Sequence, residues 1–485
     1  METLSALFTD FYELTMAQGY WKKDKNRRAV FEMFFRKHPF RGGYSIFAGL
    51  ETLLAQLKTF TFSDDDIAYL RSLNFFDQAF LEYLKTFRFS GDLYAMDEGS
   101  VVFPQEPLIR VDSSLIECQV IEGLLLNIVN FQSLIATKTA RVYLASGKGG
   151  VMEFGLRRAQ GPDGAMSASR AAIVGGAIGT SNTLAAKEFG VKPMGTMAHS
   201  WVMSFQNEEE AFRAYAELYP VHPIFLIDTY DTLKSGVVNA IKVGREIIER
   251  GGSFGVRLDS GDIHYLSQAV RRAFDEAGCE KATIAVSNDL DESIISTLVN
   301  QGAPINSWGV GTRMVTGGDE ASFNGVYKLT AYENEQGSLV PAIKVSDNPE
   351  KTTNPAVKQV LRLRDGSGMA LADILSVDDI DNPAAAEKLT AGENYVFYHP
   401  SADYRHFSHT LEAPPLPLLK KQIEGGTRIS RKPSLTELQK HCAAELETFD
   451  LRYKRLLNPH IYKVAVTQKL RDLKLDLIKT CMGDV

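Results

Sequence analysis

The middle of the chain carries a series of short apolar runs, each ending in residues able to bind anions or move protons. Arg157 and Arg158 follow MEFGL, His199 stands in GTMAHS, and Asp228 and Asp231 follow IFLI. Arg257, Asp259 and Asp262 lie in RLDSGD, Asn288 and Asp289 follow AVS, and Gly309, Gly311 and Thr312 close SWGVGT. Guanidinium forks and bare glycine amides both suit phosphate oxygens. Carboxylates on the same rim suit Mg2+ or the hydroxyls of a ribose. The chemistry these residue types suggest is the handling of a sugar phosphate with a metal.

The signals differ in strength. Arg157-Arg158 alone reads as a solvated face, and GVGT alone as turn punctuation. RLDSGD says more, because Arg257 and Asp259, two apart on a strand, face the same side. His199 sits at an expected strand end, where a titratable imidazole can meet substrate. His222 reads as a turn residue, and His406 and His409 as surface packing without a third ligand. No lysine stands at these run ends to form a Schiff base.

The residues must be held by elements, and the intervals supply them. Glu208 to Leu218, Leu233 to Glu249, Ile263 to Ala277 and Asp291 to Asn300 have helical apolar spacing. Gly251-Gly252, Gly278 and Gly302 supply the stops. With further polar ends near Gly155 and Gly179, the beat predicts about seven consecutive βα units. The fold class expected is α/β: an irregular (β/α) barrel of about seven strands, its active site at the carboxyl ends of the strands, packed on a mixed α/β domain. The barrel is expected over 136–330 and the N-terminal mixed domain over 1–135. The segment 331–485, strand-rich and then closing in two long helices (Leu435 to Leu457 and about Ala465 to Thr480), is expected to return to the N-terminal domain.

Composition narrows the partners. The 485 residues are 44% hydrophobic and 23% charged, as in a folded globular protein. With 53 Lys+Arg against 60 Asp+Glu the net charge is −7, which gives no global reason to seek nucleic acid or anionic lipid. An anionic ligand must therefore be met by a local basic site. The four cysteines, Cys118, Cys279, Cys442 and Cys481, form no Cys-x-x-Cys pair, and a reducing cytoplasm is expected. The start lacks a basic n-region and is not read as a secretory signal, and Leu115 to Phe131, interrupted by Glu117 and Glu122, is read as a half-buried helix rather than a membrane span.

Taken together, TDFYELTMAQGYW at Thr9 to Trp21, FEMFFRK at Phe31 to Lys37, MEFGLRRAQG, GTMAHSW, RLDSGD and GVGT closely resemble the nicotinate phosphoribosyltransferase family, in family order. The resemblance implies transfer of phosphoribose from phosphoribosyl pyrophosphate to nicotinate, with ATP hydrolysis coupled to the step, Mg2+ required, and a homodimer whose active site forms at the subunit interface. It implies that Phe154 stacks on one face of the pyridine ring and that Tyr12 of a second subunit covers the other. Arg157 and Arg158 would hold the nicotinate carboxylate or an adjacent phosphate. Arg257 and Asp259 would engage the ribose and phosphate region, and Gly309, Gly311 and Thr312 the 5′-phosphate. Arg36 is implied as a phosphate partner across the interface, and His199 as the histidine that ATP phosphorylates. Relatives that use nicotinamide place an acidic residue after a Gly-Thr pair; here Thr180 is followed by neutral Ser181, which favours the acid over the amide. A nicotinamide or quinolinate phosphoribosyltransferase and a non-catalytic pyridine-nucleotide sensor are the alternatives.

Overall fold

The computed structural model describes residues 3–482 with the exception of 380, 382–385 and 403. The chain divides into two units, one running to Leu134 and resuming at Ser322, the other comprising Ile135–Ala321.

In the unit Ile135–Ala321, strands Val151–Glu153, Ser307–Val310, Thr283–Val286, Gly255–Leu258 and Ile224–Leu226 lie side by side in that order, all parallel. Short runs such as TIAV and SWGV form strands because their apolar side chains are buried on both faces of a sheet flanked by helices. The helices between them match the sequence periodicity: Glu208–Leu218, Val237–Glu249, Ile263–Glu276 and Glu292–Asn300. Each has a polar N-cap or lead-in that satisfies first-turn amides. Asn207, Asp262 and Asp291 accept from the helices they precede, and Asp231 accepts from Leu233 and Lys234 ahead of Val237–Glu249. Asp231 and Asp262, expected among the rim carboxylates, thus serve as caps.

The expected barrel of about seven strands is corrected to an open sheet of five, and among the described residues no sheet is closed. The two missing strands shrink to single bridges, Glu153 with Thr180 and Thr180 with Pro193. The second bridge runs through the Thr180 amide to Lys192 O and the Met194 amide to Thr180 O, while Pro193, without an amide hydrogen, has no donor to offer a further strand on its other side. His199 consequently ends no strand; it opens the short helix His199–Met203.

The other unit contains a seven-stranded sheet in which Arg28–Phe35 lies between Gly325–Glu333 and Ile109–Ser114, antiparallel to both. A six-stranded sheet includes Lys358–Arg364, Ala370–Val377 and Lys463–Val466. Of the two expected long closing helices, the first is divided and the second starts three residues later than expected. Leu435–Glu447 stops before a short helix, Leu451–Lys454, capped by Asp450. KVAV at Lys463–Val466 pairs in parallel with Ala372 to Leu375 before the helix Gln468–Met482 starts. Arg362 and Asp373, both fully buried, form a 2.7 Å ion pair that Glu445 extends. Among the described residues no helix is long and apolar enough to cross a membrane.

Within Ile135–Ala321, Glu292 at the start of its helix meets Lys138 at 2.6 Å and Arg141 at 2.8 Å, all three buried. Burial alone would raise the Glu292 carboxyl, but the two cations outweigh it and hold it below the usual range. Removing the carboxylate leaves two buried cations without their shared counter-charge. Glu292→Ala is expected to lower the unfolding free energy by about 3–5 kcal/mol, measured by denaturant titration; a loss below about 1 kcal/mol would mean that solvent or another anion replaces Glu292.

Candidate active site

The carboxyl ends of four of the five strands, all but Ile224–Leu226, open on a cleft of about 470 Å³. Phe154 follows the strand Val151–Glu153, and Arg157 and Arg158 lie in the 3-10 turn Leu156–Arg158 just beyond it. Both belong to the cleft lining, with Ser181, Arg257 and Asp259. The lining is completed on another side by Gly309, Gly311 and Thr312 at the end of the Ser307–Val310 strand.

Two glycines make this geometry possible. A Cβ at Gly309 would lie 2.6 Å from the Phe154 ring, so the bare backbone there is the floor on which the ring rests. Gly309 therefore has a packing role beside the phosphate role implied for it. A Cβ at Gly311 would lie 3.1 Å from the Phe154 carbonyl oxygen, and Gly311 leads into the short helix Thr312–Val315.

The charges are arranged around Arg257 and Asp259. The Asp259 amide donates to Asp228 Oδ2 at 2.9 Å, and the Ser260 hydroxyl donates to the same oxygen at 2.6 Å. Ser287 donates its hydroxyl to Asp259 Oδ1. Arg257 donates to the hydroxyl of Thr196 on the far side of the sheet's open end. Burial draws the Arg257 guanidinium down from its usual range, Asp259 and Asp228 pull it back up, and Arg157 opposes them as a like charge. Two buried polar atoms here lack a hydrogen-bond partner, Arg257 Nε and Asp228 Oδ1. Such atoms are costly to desolvate and suit a ligand that supplies the missing acceptor or cation. His199 Nδ1 lies 3.1 Å from the Thr229 hydroxyl, and its Nε2 is 3.8 Å from Asp259 Oδ2.

Not every expected residue lines the cleft. Thr180 is fully buried below it, donating to Glu153 Oε2 at 2.5 Å, so it supports the site rather than facing ligand. Tyr12 and Arg36 belong to the other unit. Tyr12 lies half-exposed on the helix Phe11–Lys22. Partial burial and the carboxylates of Glu13, Glu122 and Asp10 push its phenol upward, so it stays neutral. Arg36 is half-buried, with its Nε lacking a partner.

Thr196, Thr229, Ser287 and Glu153 are functional neighbours that sequence patterns do not single out. The first three are small hydroxyls whose importance lies in what they touch. Glu153 stands in plain view inside MEFG but reads as an ordinary strand residue. Asn288, notable in the sequence only as a polar run end, has φ 110, a conformation that a non-glycine residue adopts at a cost. It lines the cleft next to Asp289.

Comparison with known proteins bears on what such a cleft does. Residues 150–366 match the nicotinate phosphoribosyltransferase (NAPRTase) family, 7–130 its N-terminal domain and 357–474 its C-terminal domain. The nicotinate phosphoribosyltransferase of Bacillus subtilis is 40% identical over 476 residues, 98% of this chain and 95% of its own length. This chain belongs to the nicotinate phosphoribosyltransferase family. The crystal structure of human nicotinic acid phosphoribosyltransferase superposes with a TM-score of 0.84 at 31% identity, over 97% of this chain and 99% of that one. A nicotinate-nucleotide pyrophosphorylase from Pyrococcus furiosus, 22% identical with a TM-score of 0.70 over 91% of this chain and 95% of that one, shares the fold. The family membership makes the chain an enzyme of the nicotinate phosphoribosyltransferase type and leaves the nicotinamide, quinolinate and sensor alternatives unfavoured.

In this family member the contact between Gly309 and Phe154 can be tested directly. Gly309→Ala is expected to displace the ring and lower kcat/KM for nicotinate by roughly tenfold to a hundredfold, with an unchanged far-UV circular dichroism spectrum. An unaltered kcat/KM would show that the ring can shift without consequence.

Proposed function

We propose that the cleft joins nicotinate to phosphoribosyl pyrophosphate in an ATP-coupled reaction. The observation that carries the reading is the convergence of Phe154, Arg157 and Ser181 with Arg257, Asp259 and Gly311 in one cleft. A flat aromatic acid needs a stacking face, a cation for its carboxylate and no opposing anion, and the first three residues offer these. A sugar phosphate needs guanidinium, backbone amides and oxygen acceptors, and the last three offer those.

The pyridine nitrogen attacks C1 of the ribose with its lone pair while the C1–O bond to pyrophosphate breaks, giving nicotinate mononucleotide and pyrophosphate. No general base is needed, because the attacking nitrogen carries no proton. Positive charge grows on the ribose and negative charge on the leaving group, so positioning and electrostatics do the work. Asp259 is suited to favour the cationic ribose, while Arg257 and the Gly311-Thr312 turn, with Gly309 before it, are suited to hold phosphate. Arg158 adds positive charge for the carboxylate or a neighbouring phosphate. Asp228 Oδ1, buried without a partner, and Asp259 Oδ2 are oxygen donors of the type Mg2+ prefers. Mg2+ bound there would neutralise charge on the departing pyrophosphate.

His199 is the proposed phosphate acceptor from ATP: a ring nitrogen attacks the γ-phosphorus, ADP leaves, and water later removes the phosphoryl group. Its position 3.8 Å from Asp259 supports the reading, since a phosphate added there changes the charge felt by the pyrophosphate site. The coupling is then an effect on binding rather than on bond making at the ribose. The partner subunit's Tyr12 would cover the open face of the pyridine ring and its Arg36 would reach a phosphate, which makes the working unit a homodimer. The place of action proposed is the cytoplasm, as the salvage step into NAD.

The test is pyrophosphate release by the purified protein with phosphoribosyl pyrophosphate and Mg2+, offered nicotinate, nicotinamide or quinolinate, each with and without ATP. Release is expected with nicotinate alone and is expected to rise with ATP; none with any acceptor would overturn the reading. His199→Ala is expected to abolish ATP stimulation while retaining some transfer, and stimulation that survives in this variant would refute the role of His199. Ser181→Asp is expected to lower kcat/KM for nicotinate at least tenfold, about 1.4 kcal/mol of transition-state binding, and comparable turnover of nicotinate and nicotinamide by the unaltered protein would remove the case for Ser181.

A further inference from the structure

Beneath the cleft, the Glu153 carboxylate is fully buried. Its Oε1 accepts from the Gly155 amide, and its Oε2 accepts from the Ser169 hydroxyl at 2.9 Å and the Thr180 hydroxyl at 2.5 Å. The donors belong to three separate pieces of chain: the turn that follows Phe154, the helix Gly161–Val174, and the single-residue bridge that precedes Ser181. The Thr180 hydroxyl in turn accepts from the Asn182 amide at 2.9 Å, and Asn182 caps the helix Thr183–Phe189. Backbone bonds share the register: the Glu153 amide donates to Gly179 at 3.0 Å and the Ser181 amide donates to the Glu153 carbonyl at 2.8 Å.

Burying a carboxylate is unfavourable unless its oxygens are satisfied, and here three donors meet it. An apolar side chain could fill the same volume without that penalty, so the charge has a use beyond packing. The backbone around Thr180 pairs with the strand Val151–Glu153 through Ile178, Gly179 and Ser181, and with Lys192 and Met194 on its other side, which sets the register of this segment. The carboxylate adds a side-chain tie from the same segment to Gly155 and Ser169, groups that this pairing does not reach.

We propose that Glu153 is the positioning residue of the pyridine slot, fixing the distance between the Phe154 ring and Ser181 by holding Gly155 and Thr180 on one carboxylate. It touches no substrate and acts through its two neighbours. The inference rests on the reading of Phe154 and Ser181 as the nicotinate contacts. Thr180 is the link in this arrangement, because its hydroxyl transmits the carboxylate's hold to the Ser181 loop.

The experiment compares Glu153→Gln, Thr180→Val, the double variant, Thr180→Ser and Phe154→Ala, reading KM for nicotinate, KM for phosphoribosyl pyrophosphate, kcat and Tm. Glu153→Gln and Thr180→Val are each expected to raise KM for nicotinate roughly tenfold or more while KM for phosphoribosyl pyrophosphate stays within about twofold. The double variant is expected to resemble either single one, because both break the same link. Thr180→Ser keeps the hydroxyl and is expected to bring KM for nicotinate back to within about threefold of the unaltered value. Equal rises in both KM values, or a fall in Tm with both KM values unchanged, would reduce Glu153 to a structural residue and overturn the proposal. Should Glu153→Gln fail to fold, the contrast between Thr180→Val and Thr180→Ser decides. Phe154→Ala separates the two readings: if it leaves KM for nicotinate unaltered, the slot itself has been misassigned; if it raises KM while the Glu153 and Thr180 variants do not, only the positioning role fails.

Discussion

The hydrogen-bond ladder of the parallel sheet runs out at both edges, and two side-chain contacts span the gap that it leaves. Arg257 reaches Thr196, and His199 reaches Thr229, each joining the segment after Pro193 to the strands on the opposite side. The rest of the site depends on this. Without the two contacts, the pairing of the segment carrying Thr196 and His199 with the sheet would stop at the bridge at Pro193. The groups that complete the architecture are also the groups proposed to handle substrate, so neither function can be optimised alone. A better-closed sheet would take Arg257 and His199 out of use.

Charge follows the same logic. A chain of net charge −7 that handles anions must concentrate its cations, and the carboxylates that surround them must be restrained. Asp228 is restrained by a backbone amide and a serine hydroxyl, and Asp259 by Ser287. Hydroxyl and amide donors stabilise these anions without engaging an arginine. The buried Nε of Arg257 has no hydrogen-bond partner, which leaves a directed donor in a low-dielectric setting.

Local patterns in the sequence locate the helices Glu208–Leu218, Ile263–Glu276 and Glu292–Asn300 to within a residue, because amphipathic spacing and polar caps are local properties, while Val237–Glu249 starts four residues later than its pattern suggests. Arg157, Arg257, Asp259 and Gly311 are legible for a related reason: each follows an apolar run, and in this architecture run ends converge. Thr180, Thr196 and Thr229 are not, since what each does depends on a partner tens of residues away. The strands expected near Gly179 and His199 shorten because apolar composition says nothing about whether a neighbour continues the ladder, and Pro193 has no amide to offer a further strand. Ala465 and Val466 read as the start of a helix because a short apolar run fits either period, and only their pairing with Ile374 and Leu375 decides. The places proposed for Tyr12 and Arg36 come from family resemblance, and no local pattern in the chain carries them.

The discontinuous unit has a consequence for how the protein is made. The strand Arg28–Phe35 is apolar along nearly its whole length, and one of its two neighbours, Gly325–Glu333, follows about 290 residues later. At ordinary rates of translation that separation amounts to roughly 15 to 60 s. Throughout that interval the nascent chain presents an unpaired hydrophobic strand edge, while the whole of Ile135–Ala321 emerges and can fold. Residues 28–35 are therefore where a chaperone would find this polypeptide on the ribosome, and where crowded overexpression would first turn it into aggregate.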